Sequence, residues 1–184
     1  MPANKNDITA APPHNTSAHF AEVIEQSQKK LTTIAYRMLG NFEDARDSVQ
    51  DAYLRLWKSQ AELQDAARTL PWLLRIVINR CIDQLRKQKI RQFFGLKEHE
   101  SLGFADRFDH SHDSATRDEL QTILSTQVAR LKPRQKATFL LRDVEGYSVS
   151  ETASLLGCSE NSVLTNLHLA RKNLRTWLKP YLQD

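Results

Sequence analysis

The stretch Leu70–Arg91 constrains the fold of this 184-residue chain more than any other segment. Its apolar side chains recur at three- and four-residue steps and so share one helical face: Leu73, Ile76, Val77, Cys81, Ile82 and Leu85. Between Arg68 and Arg91 there are seven Arg or Lys residues and a single acid, Asp83. Pro71 suits a first helical turn, because an amide hydrogen has no partner there. The pattern predicts an amphipathic helix with a basic outer face.

Two interpretations of this basic face remain open on the stretch alone. It is either the solvated side of a core helix or a surface that lies on a nucleic-acid backbone. In the second case the Trp72 ring and the Asn79 amide are available to unpaired bases, although Trp72 is equally suited to packing. Three arginines outside the apolar face would then hold phosphates: Arg75, Arg80 and Arg86.

The composition favours an all-α protein. Only five Gly and six Pro occur, and no alternating apolar run indicates a sheet. Cys81 and Cys158 lie inside helical patterns without paired spacing, so we expect small buried side chains in a reducing compartment. We find no signal peptide and no long uncharged apolar run, which predicts a cytoplasmic protein without membrane insertion.

Changes in pattern divide the chain into two helical modules joined by a flexible linker. Residues 1–18 are polar and aperiodic and are expected to form a disordered tail, followed by a first module at residues 19–91. The linker, residues 92–118, holds more acids than bases and lacks a sustained period. Residues 119–184 form the second module. The linker cluster Asp109–Asp113 contains two histidines but no second ligand pair, so we expect neither a metal site nor a cofactor.

The first module carries an acidic line on its second helix. We expect a first helix at His19–Leu39, closed by Gly40, and a second helix capped by Asn41. A loop is expected at Ser59–Thr69. The acidic line lies on the second helix, about one turn apart, with an amide beside it: Asp44, Asp47, Asp51 and Gln50. Like charges at this spacing repel, so the line is either a solvated face or a surface for a basic partner.

The second module contains the pattern of a helix-turn-helix. Lys132-Pro133 begins one helix, and Ser148 with Glu151 forms a capping box at the start of the next. Gly157 permits the tight turn, Ser159 caps the following helix, and Val163 anchors it. A generic helical hairpin can mimic this pattern. If it binds DNA, the following side chains face the major groove: Asn161, Ser162, Thr165, Asn166 and His168.

Three phrases of the sequence resemble the extracytoplasmic-function sigma factors of the sigma-70 family. They are LGNFEDARDSVQDAYLRLW (residues 39–57), LPWLLRIVINRCIDQLRK (70–87) and LKPRQKATFLLRDVEGYSVSETASLLGCSENSV (131–163). The resemblance implies a factor that directs RNA polymerase to promoters and has no catalytic role. Its implied partners are core RNA polymerase (the beta-prime and beta subunits), promoter DNA and an anti-sigma factor.

The resemblance also implies roles for particular residues. The acidic helix around Asp44, Asp47, Gln50 and Asp51 would dock on the beta-prime subunit. Trp72 and Asn79 match positions near the flipped base of the minus-ten element, and Leu63 stands where an aromatic is common. The second module would read the minus-thirty-five element through a helix that has Leu164, Asn166 and Leu169 where the family usually has basic residues. Specificity would then depend on Asn161, Thr165, Asn166 and His168, with Ser159 and Ser162 at the helix start and Arg171 and Lys172 supplying charge.

Two other function classes were compared with this one. A conventional helix-turn-helix repressor or activator explains the second module but leaves the basic helix and the acidic linker without a role. It also calls for a dimer interface, which the sequence does not indicate. A hydrolase or metalloenzyme is not supported, because the chain offers no nucleophile–base pair, Gly-rich phosphate loop or zinc-ligand spacing.

Overall fold

The computed structural model describes residues 14–59, 66–94 and 115–181. These residues form seven α-helices and no strand, which confirms the all-α prediction. The helices are α1 (His14–Leu39), α2 (Phe42–Lys58), α3 (Ala66–Phe93), α4 (Ala115–Arg130), α5 (Pro133–Phe139), α6 (Val149–Leu156) and α7 (Glu160–Leu178). A π-helical turn, Leu140–Val144, continues α5, and a 3-10 turn, Lys179–Tyr181, follows α7.

The junction between α1 and α2 follows the sequence signals. Gly40 has a positive φ of 74° and its amide donates to the Tyr36 carbonyl at 2.8 Å, which ends α1. The Asn41 side-chain oxygen accepts from the amides of Glu43 and Asp44 at 2.9 and 3.2 Å, as an N-cap should. The start of α1 differs from the prediction, because the helix begins at His14 and not at His19. No Gly or Pro lies between these residues, so nothing in the local sequence stops the helix earlier.

The start of α3 also differs from the prediction. The helix begins at Ala66, so the loop expected at Ser59–Thr69 is shorter and Pro71 lies inside the helix. A proline there removes one backbone hydrogen bond, and the Pro71 side chain is exposed. Residues 60–65, which include the predicted site residue Leu63, lie outside the described ranges.

Apolar side chains of α1 and α2 pack together in the core of the first module. Leu31, Ile34 and Met38 of α1 are buried. On α2 the buried side chains include Val49 and Leu56. The polar end of the buried Tyr53 is satisfied by a 2.8 Å hydrogen bond between its hydroxyl and the Ser27 hydroxyl, which joins α2 to α1.

Helix α3 is buried along one broad face. Leu74 and Ile78, which the predicted set left out, lie on the same helical face as its members and are as fully buried as Leu73 and Val77. The helix contacts α1 and α2 as well as α5 and α6. The two modules therefore share one continuous apolar core, with α3 between them.

The second module confirms several local predictions. Pro133 begins α5, and Ser148 and Glu151 make both hydrogen bonds of the capping box, at 3.1 and 2.7 Å. The Glu145 amide donates to the Leu140 carbonyl at 2.9 Å, closing the wider π-helical turn. Helix α4 begins at Ala115, four residues before the predicted Glu119, so the linker is shorter at both ends. Residues 95–114 lie outside the described ranges, and so does the cluster Asp109–Asp113.

Candidate polymerase and nucleic-acid interfaces

A groove of about 760 Å³ separates the outer faces of α2 and α3. Its lining brings together side chains from both predicted sites of the first module: Asp44, Asp47, Arg55, Trp72, Arg75, Ile76, Asn79, Arg80, Asp83, Gln84 and Lys87. The α2 side carries two carboxylates and one arginine, and the α3 side carries two arginines, one lysine and one carboxylate. Gln50, the amide beside the acidic line, is exposed on α2 but does not line the groove.

Asp51 and Arg80, which the sequence assigned to different sites, form an ion pair with each other. The Arg80 guanidinium contacts the Asp51 carboxylate across the α2–α3 contact. Each side chain is more than one third exposed, so water screens the pair and its contribution to stability is small. The basic partner expected to relieve the acidic line is thus supplied in part by this chain's own α3. Asp44 and Asp47 remain directed towards the groove.

Asn79 makes two hydrogen bonds through its side-chain nitrogen. It donates to the Arg75 carbonyl of its own helix at 2.8 Å and to the Leu155 carbonyl of α6 at 3.3 Å. The amide proposed to read a base is therefore in contact with the helix-turn-helix of the second module. In this arrangement its two donors have protein partners, and only its oxygen is available to a base.

The other predicted residues of α3 divide between packing and solvent. Trp72 is half-buried, lines the groove and packs against the core, so it has the packing role considered for it, and its contact with bases stays a prediction. Arg75 is exposed, with a guanidinium nitrogen 3.8 Å from the position that a Cβ on Gly157 would take. Arg86 is exposed and pairs with Asp83 of the next turn at 3.1 Å. These residues lie along one side of α3, as the helical spacing predicts.

The helix-turn-helix has the geometry that its sequence indicates. Gly157 adopts a left-handed conformation (φ 59°, ψ 47°) at the end of α6, where a side chain would be strained. The Ser159 hydroxyl accepts from the Ser162 amide at 3.2 Å and so caps α7. Val163 is 0% exposed beneath the turn. Hydrogen bonding with Ser148, through its side chain and then through its backbone amide, lowers the pKa of the Glu151 carboxyl group.

The outer face of α7 is open to solvent. Asn161, Thr165, His168 and Lys172 are exposed, whereas Val163 and Leu167 face the core. Ser162 and Asn166 are half-buried, and the Asn166 nitrogen donates to the Ser162 carbonyl at 2.8 Å. The exposed face also carries Leu164, which is 50% exposed. Candidate base-reading groups therefore lie on one unobstructed helical face.

Asp143 holds one of the predicted backbone-binding residues. The Arg171 guanidinium donates to both Asp143 carboxylate oxygens, at 2.9 and 2.6 Å. This two-point geometry fixes the orientation of the guanidinium, and the hydrogen bonds raise the pKa of Arg171. Sequence reasoning did not find Asp143, because the two residues are 28 positions apart.

Two further features between the modules were missed for the same reason. Arg37 of α1 pairs with Glu145, which follows the π-helical turn, at 2.7 Å. Lys136 of α5 is only 2% exposed, and burial lowers the pKa of its ammonium to about 8. Nothing in the sequence around Lys136, which follows Arg134 in the polar first turn of α5, predicts that its side chain is buried. Only the packing of α5 on α3 creates it.

Two negative findings apply to the described ranges only. No three His, Cys, Asp or Glu side chains there come together in a way that could hold a metal ion. No described helix has both the length and the apolar character needed to cross a bilayer. Both cysteines there are free thiols, with Cys81 buried and Cys158 half-buried, so the burial expected of Cys158 is only partial.

Comparison with known families places the two modules in order along the chain. Residues 23–90 match sigma-70 region 2, and residues 121–174 match sigma-70 region 4. The extracytoplasmic-function RNA polymerase sigma factor SigM of Mycobacterium tuberculosis is 29% identical over 157 residues, covering 84% of this chain and 74% of SigM. SigW of Bacillus subtilis, of the same class, is 25% identical over 167 residues, covering 87% and 89% of the two chains.

A solved structure has the same overall fold. It is the sigma factor RpoE in complex with the anti-sigma factor NepR from Bartonella quintana, with a TM-score of 0.68 and 20% identity. The similarity covers 87% of this chain and 96% of that sigma factor. CnrH, solved in complex with the cytosolic domain of CnrY, has a TM-score of 0.58 at 19% identity. Two sigma-70 regions in the expected order, on a fold shared with a sigma factor, establish the assignment: the chain belongs to the extracytoplasmic-function sigma factors of the sigma-70 family.

Proposed function

We propose that this chain binds core RNA polymerase, directs it to a specific set of promoters and helps to open them. Sigma factors are transcription initiation factors and not a family of catalysts, so the chemistry of RNA synthesis lies in the polymerase. The observation that carries the proposal is that regions 2 and 4 both match, in that order, in one chain whose two modules share an apolar core.

The α2 side of the groove is the proposed contact with the beta-prime subunit, and the beta subunit is a further partner. Asp44 and Asp47 present carboxylates there, with Gln50 exposed nearby, which suits a basic partner surface. Asp51 differs from these residues, because it is already paired with Arg80 of α3. Polymerase and minus-ten DNA would therefore bind the two walls of one groove.

The α3 side is the proposed minus-ten surface. Melting a promoter costs about 1–2 kcal/mol per base-pair step, and the chain has no ATP-binding loop to supply it. Capture of unstacked bases can return about 1–3 kcal/mol per base through stacking and hydrogen bonds. Asn79 is the proposed reader, Trp72 shapes the pocket, and the arginines hold phosphates. Leu63, although outside the described ranges, remains a proposed member of this site.

The α7 face is the proposed minus-thirty-five surface. Its exposed amide, hydroxyl and imidazole groups can read base edges in the major groove. Arg171 and Lys172, one turn beyond, would contact the phosphate backbone. Asp143 holds Arg171 in a fixed orientation, which limits the entropy lost when it binds a phosphate.

Regulation and localisation complete the proposal. The similar solved structures contain an anti-sigma factor with RpoE and the cytosolic domain of CnrY with CnrH. We propose that an anti-sigma protein likewise restrains this chain in the cytoplasm until a stress or envelope signal releases it.

Run-off transcription tests the proposed function directly. Core RNA polymerase would be supplied with a library of genomic fragments, with and without the protein. We expect discrete transcripts that require the protein and share two upstream sequence elements. The absence of any protein-dependent transcript would contradict the proposal, provided that a known sigma factor activates the same core polymerase.

A further inference from the structure

Two large apolar side chains lie on the solvent-exposed side of α7. Leu164 is 50% exposed and Leu169 is 38% exposed. The helix packs on its neighbours through other positions, since Val163 and Leu167 are 0% and 6% exposed. An isolated exposed leucine is ordinary on a protein surface, so the meaning of this pair depends on what surrounds it.

The neighbours of these leucines on α7 are side chains proposed to read bases. Residues three or four positions apart are adjacent on a helix surface. Leu164 therefore lies between Asn161 and His168. Leu169 is likewise adjacent to Thr165, and all of these side chains are exposed. Leu164 stands in the second turn of α7, near the amino end that contacts base edges in a helix-turn-helix. An apolar contact is thus placed among the polar groups that reach the bases.

Charge along α7 is divided between its two halves. Residues 160–170 contain one acid and no Lys or Arg. Residues 171–178 contain no acid and three exposed cations, which are Arg171, Lys172 and Arg175. The carboxyl half therefore attracts a polyanion, which favours DNA over an apolar protein surface as the occupant of this face. The amino half, which carries Leu164, must distinguish bases without cationic side chains.

Thymine is the base that an exposed leucine can recognise. Among the four bases, only thymine presents a methyl group in the major groove, at C5. The methyl group gives a leucine an apolar partner. The amino and carbonyl groups of other base edges would instead lose water against the leucine without gaining a hydrogen bond. Burial of one methyl group corresponds to a gain in affinity of about three- to fivefold.

We propose that Leu164 is a specificity-determining residue that packs against thymine methyl groups of the minus-thirty-five element, with Leu169 as a second contact further along α7. This inference rests on the proposed function of α7. It gives the chain a preference for thymine at defined positions, in addition to the hydrogen bonds of the neighbouring polar side chains. Because the contact is apolar, this part of the preference does not depend on salt concentration.

Replacement of thymine by uracil isolates the methyl group. Promoter fragments recovered in the run-off experiment would be resynthesised with uracil in place of each thymine of the minus-thirty-five element in turn. Uracil keeps the base pair and lacks only the C5-methyl group. The affinity of core RNA polymerase carrying this protein is then measured for each duplex. We expect uracil to weaken binding about three- to fivefold at the contacted positions, at low and high salt alike. Equal affinity for thymine and uracil at every position would overturn the proposal.

Truncation of the leucines assigns the effect to a residue. Leu164→Ala should bind the thymine fragment about three- to fivefold more weakly than the parent and should no longer distinguish it from the uracil fragment. Leu120→Ala is the matched control, because Leu120 of α4 is 49% exposed and lies outside α7. This control should keep the parent's ratio of the two affinities. If Leu164→Ala and Leu169→Ala both keep that ratio, another residue contacts the methyl group and the assignment is wrong.

Arginine at the same position separates specificity from affinity. Leu164→Arg adds a group that binds phosphate or guanine, so at low salt it should bind at least as tightly as the parent. The slope of log affinity against log salt concentration should become steeper by about one. The difference between thymine and uracil should disappear at the position that Leu164 contacts. A variant that gains affinity but keeps this difference would contradict the proposal.

These outcomes separate the inference from the proposed function. Transcription that ignores a scrambled minus-thirty-five element refutes the proposed role of α7, and the inference with it. Transcription that requires the element but is indifferent to its thymine methyl groups refutes the inference alone. Sedimentation of the free chain tests the other occupant of this face, a second copy. If Leu164→Ala converts dimers to monomers and keeps the ratio of affinities, the leucines form a contact between copies and the proposal is wrong.

Discussion

The two proposed DNA surfaces of this chain differ in how far their side chains are already engaged. On α3, Asn79 contacts α6, Arg80 contacts Asp51, and Arg86 contacts Asp83. On α7, the base-reading face is open, and of the proposed phosphate contacts Arg171 is held by Asp143. The difference suggests that the second module is ready for duplex DNA, whereas the first module must exchange protein contacts for DNA contacts.

The largest expected effect on stability comes from truncating a buried side chain beneath the open face of α7. Val163 lies fully buried beneath α7, so Val163→Ala should reduce the free energy of unfolding by about 2 kcal/mol. Leu164, the next residue, is half exposed and serves as the matched control, with a change below about 0.5 kcal/mol. Urea denaturation followed by circular dichroism checks both variants. Equal losses would mean that α7 is not packed as described.

Charge reversal on α2 tests whether the acidic line, which faces the proposed minus-ten surface of α3, binds core polymerase. Asp47→Lys should weaken binding to core polymerase by about 1–3 kcal/mol, because it removes an attraction and adds a repulsion. Asp51→Lys should do the same and also place a positive charge against Arg80, which removes their ion pair. Co-elution with core polymerase measures the first effect. Unchanged co-elution of the double variant would exclude the acidic line as the docking surface.

Removal of one side-chain amide from each proposed DNA surface compares how α3 and α7 recognise bases. Asn79→Ala should keep polymerase binding and lose discrimination at one minus-ten base, at a cost of about 1–2 kcal/mol. Asn166→Ala should lower transcription from a promoter with both elements and change base preference at the upstream one only. Permanganate footprinting on duplex and pre-melted promoters distinguishes the two. If Asn79→Ala opens duplex promoters with the parent's base preference, the hypothesis that Asn79 captures an unstacked minus-ten base is wrong.

The smallest expected effect concerns the capping box. Ser148→Ala should lower stability by about 1 kcal/mol, since the Glu151 amide loses its acceptor. The pKa of Glu151 is lower in the folded chain than in the unfolded one, so its contribution is present above the unfolded pKa and lost as pH falls through the folded one. Thermal unfolding between pH 3 and pH 6 should show this loss, and Glu151→Gln should abolish it.

Local signals predicted much of both surfaces. The caps at Asn41, Ser148 and Ser159 and the left-handed turn at Gly157 depend on residues a few positions apart. The same locality explains why the exposed face of α7 follows from its spacing. Helix starts were predicted less well, since His14 and Ala66 begin helices without a distinctive capping signal. The burial of Leu74 and Ile78 follows from the spacing of the apolar residues of α3, whereas the packing of that helix on α5 and α6 could not be predicted from it.

By itself, the sequence determined the helices, their caps, the order of the two regions and the family. These properties depend on hydrogen bonds and side-chain periods within a few residues, which the order of amino acids specifies directly. Only the tertiary structure decided that Asn79 contacts α6, that Arg37 pairs with Glu145, and that Lys136 is buried. The partners in these contacts are far apart in sequence, such as the 108 positions between Arg37 and Glu145. These contacts form because the second module packs on α3, a helix of the first module that also contacts α1 and α2.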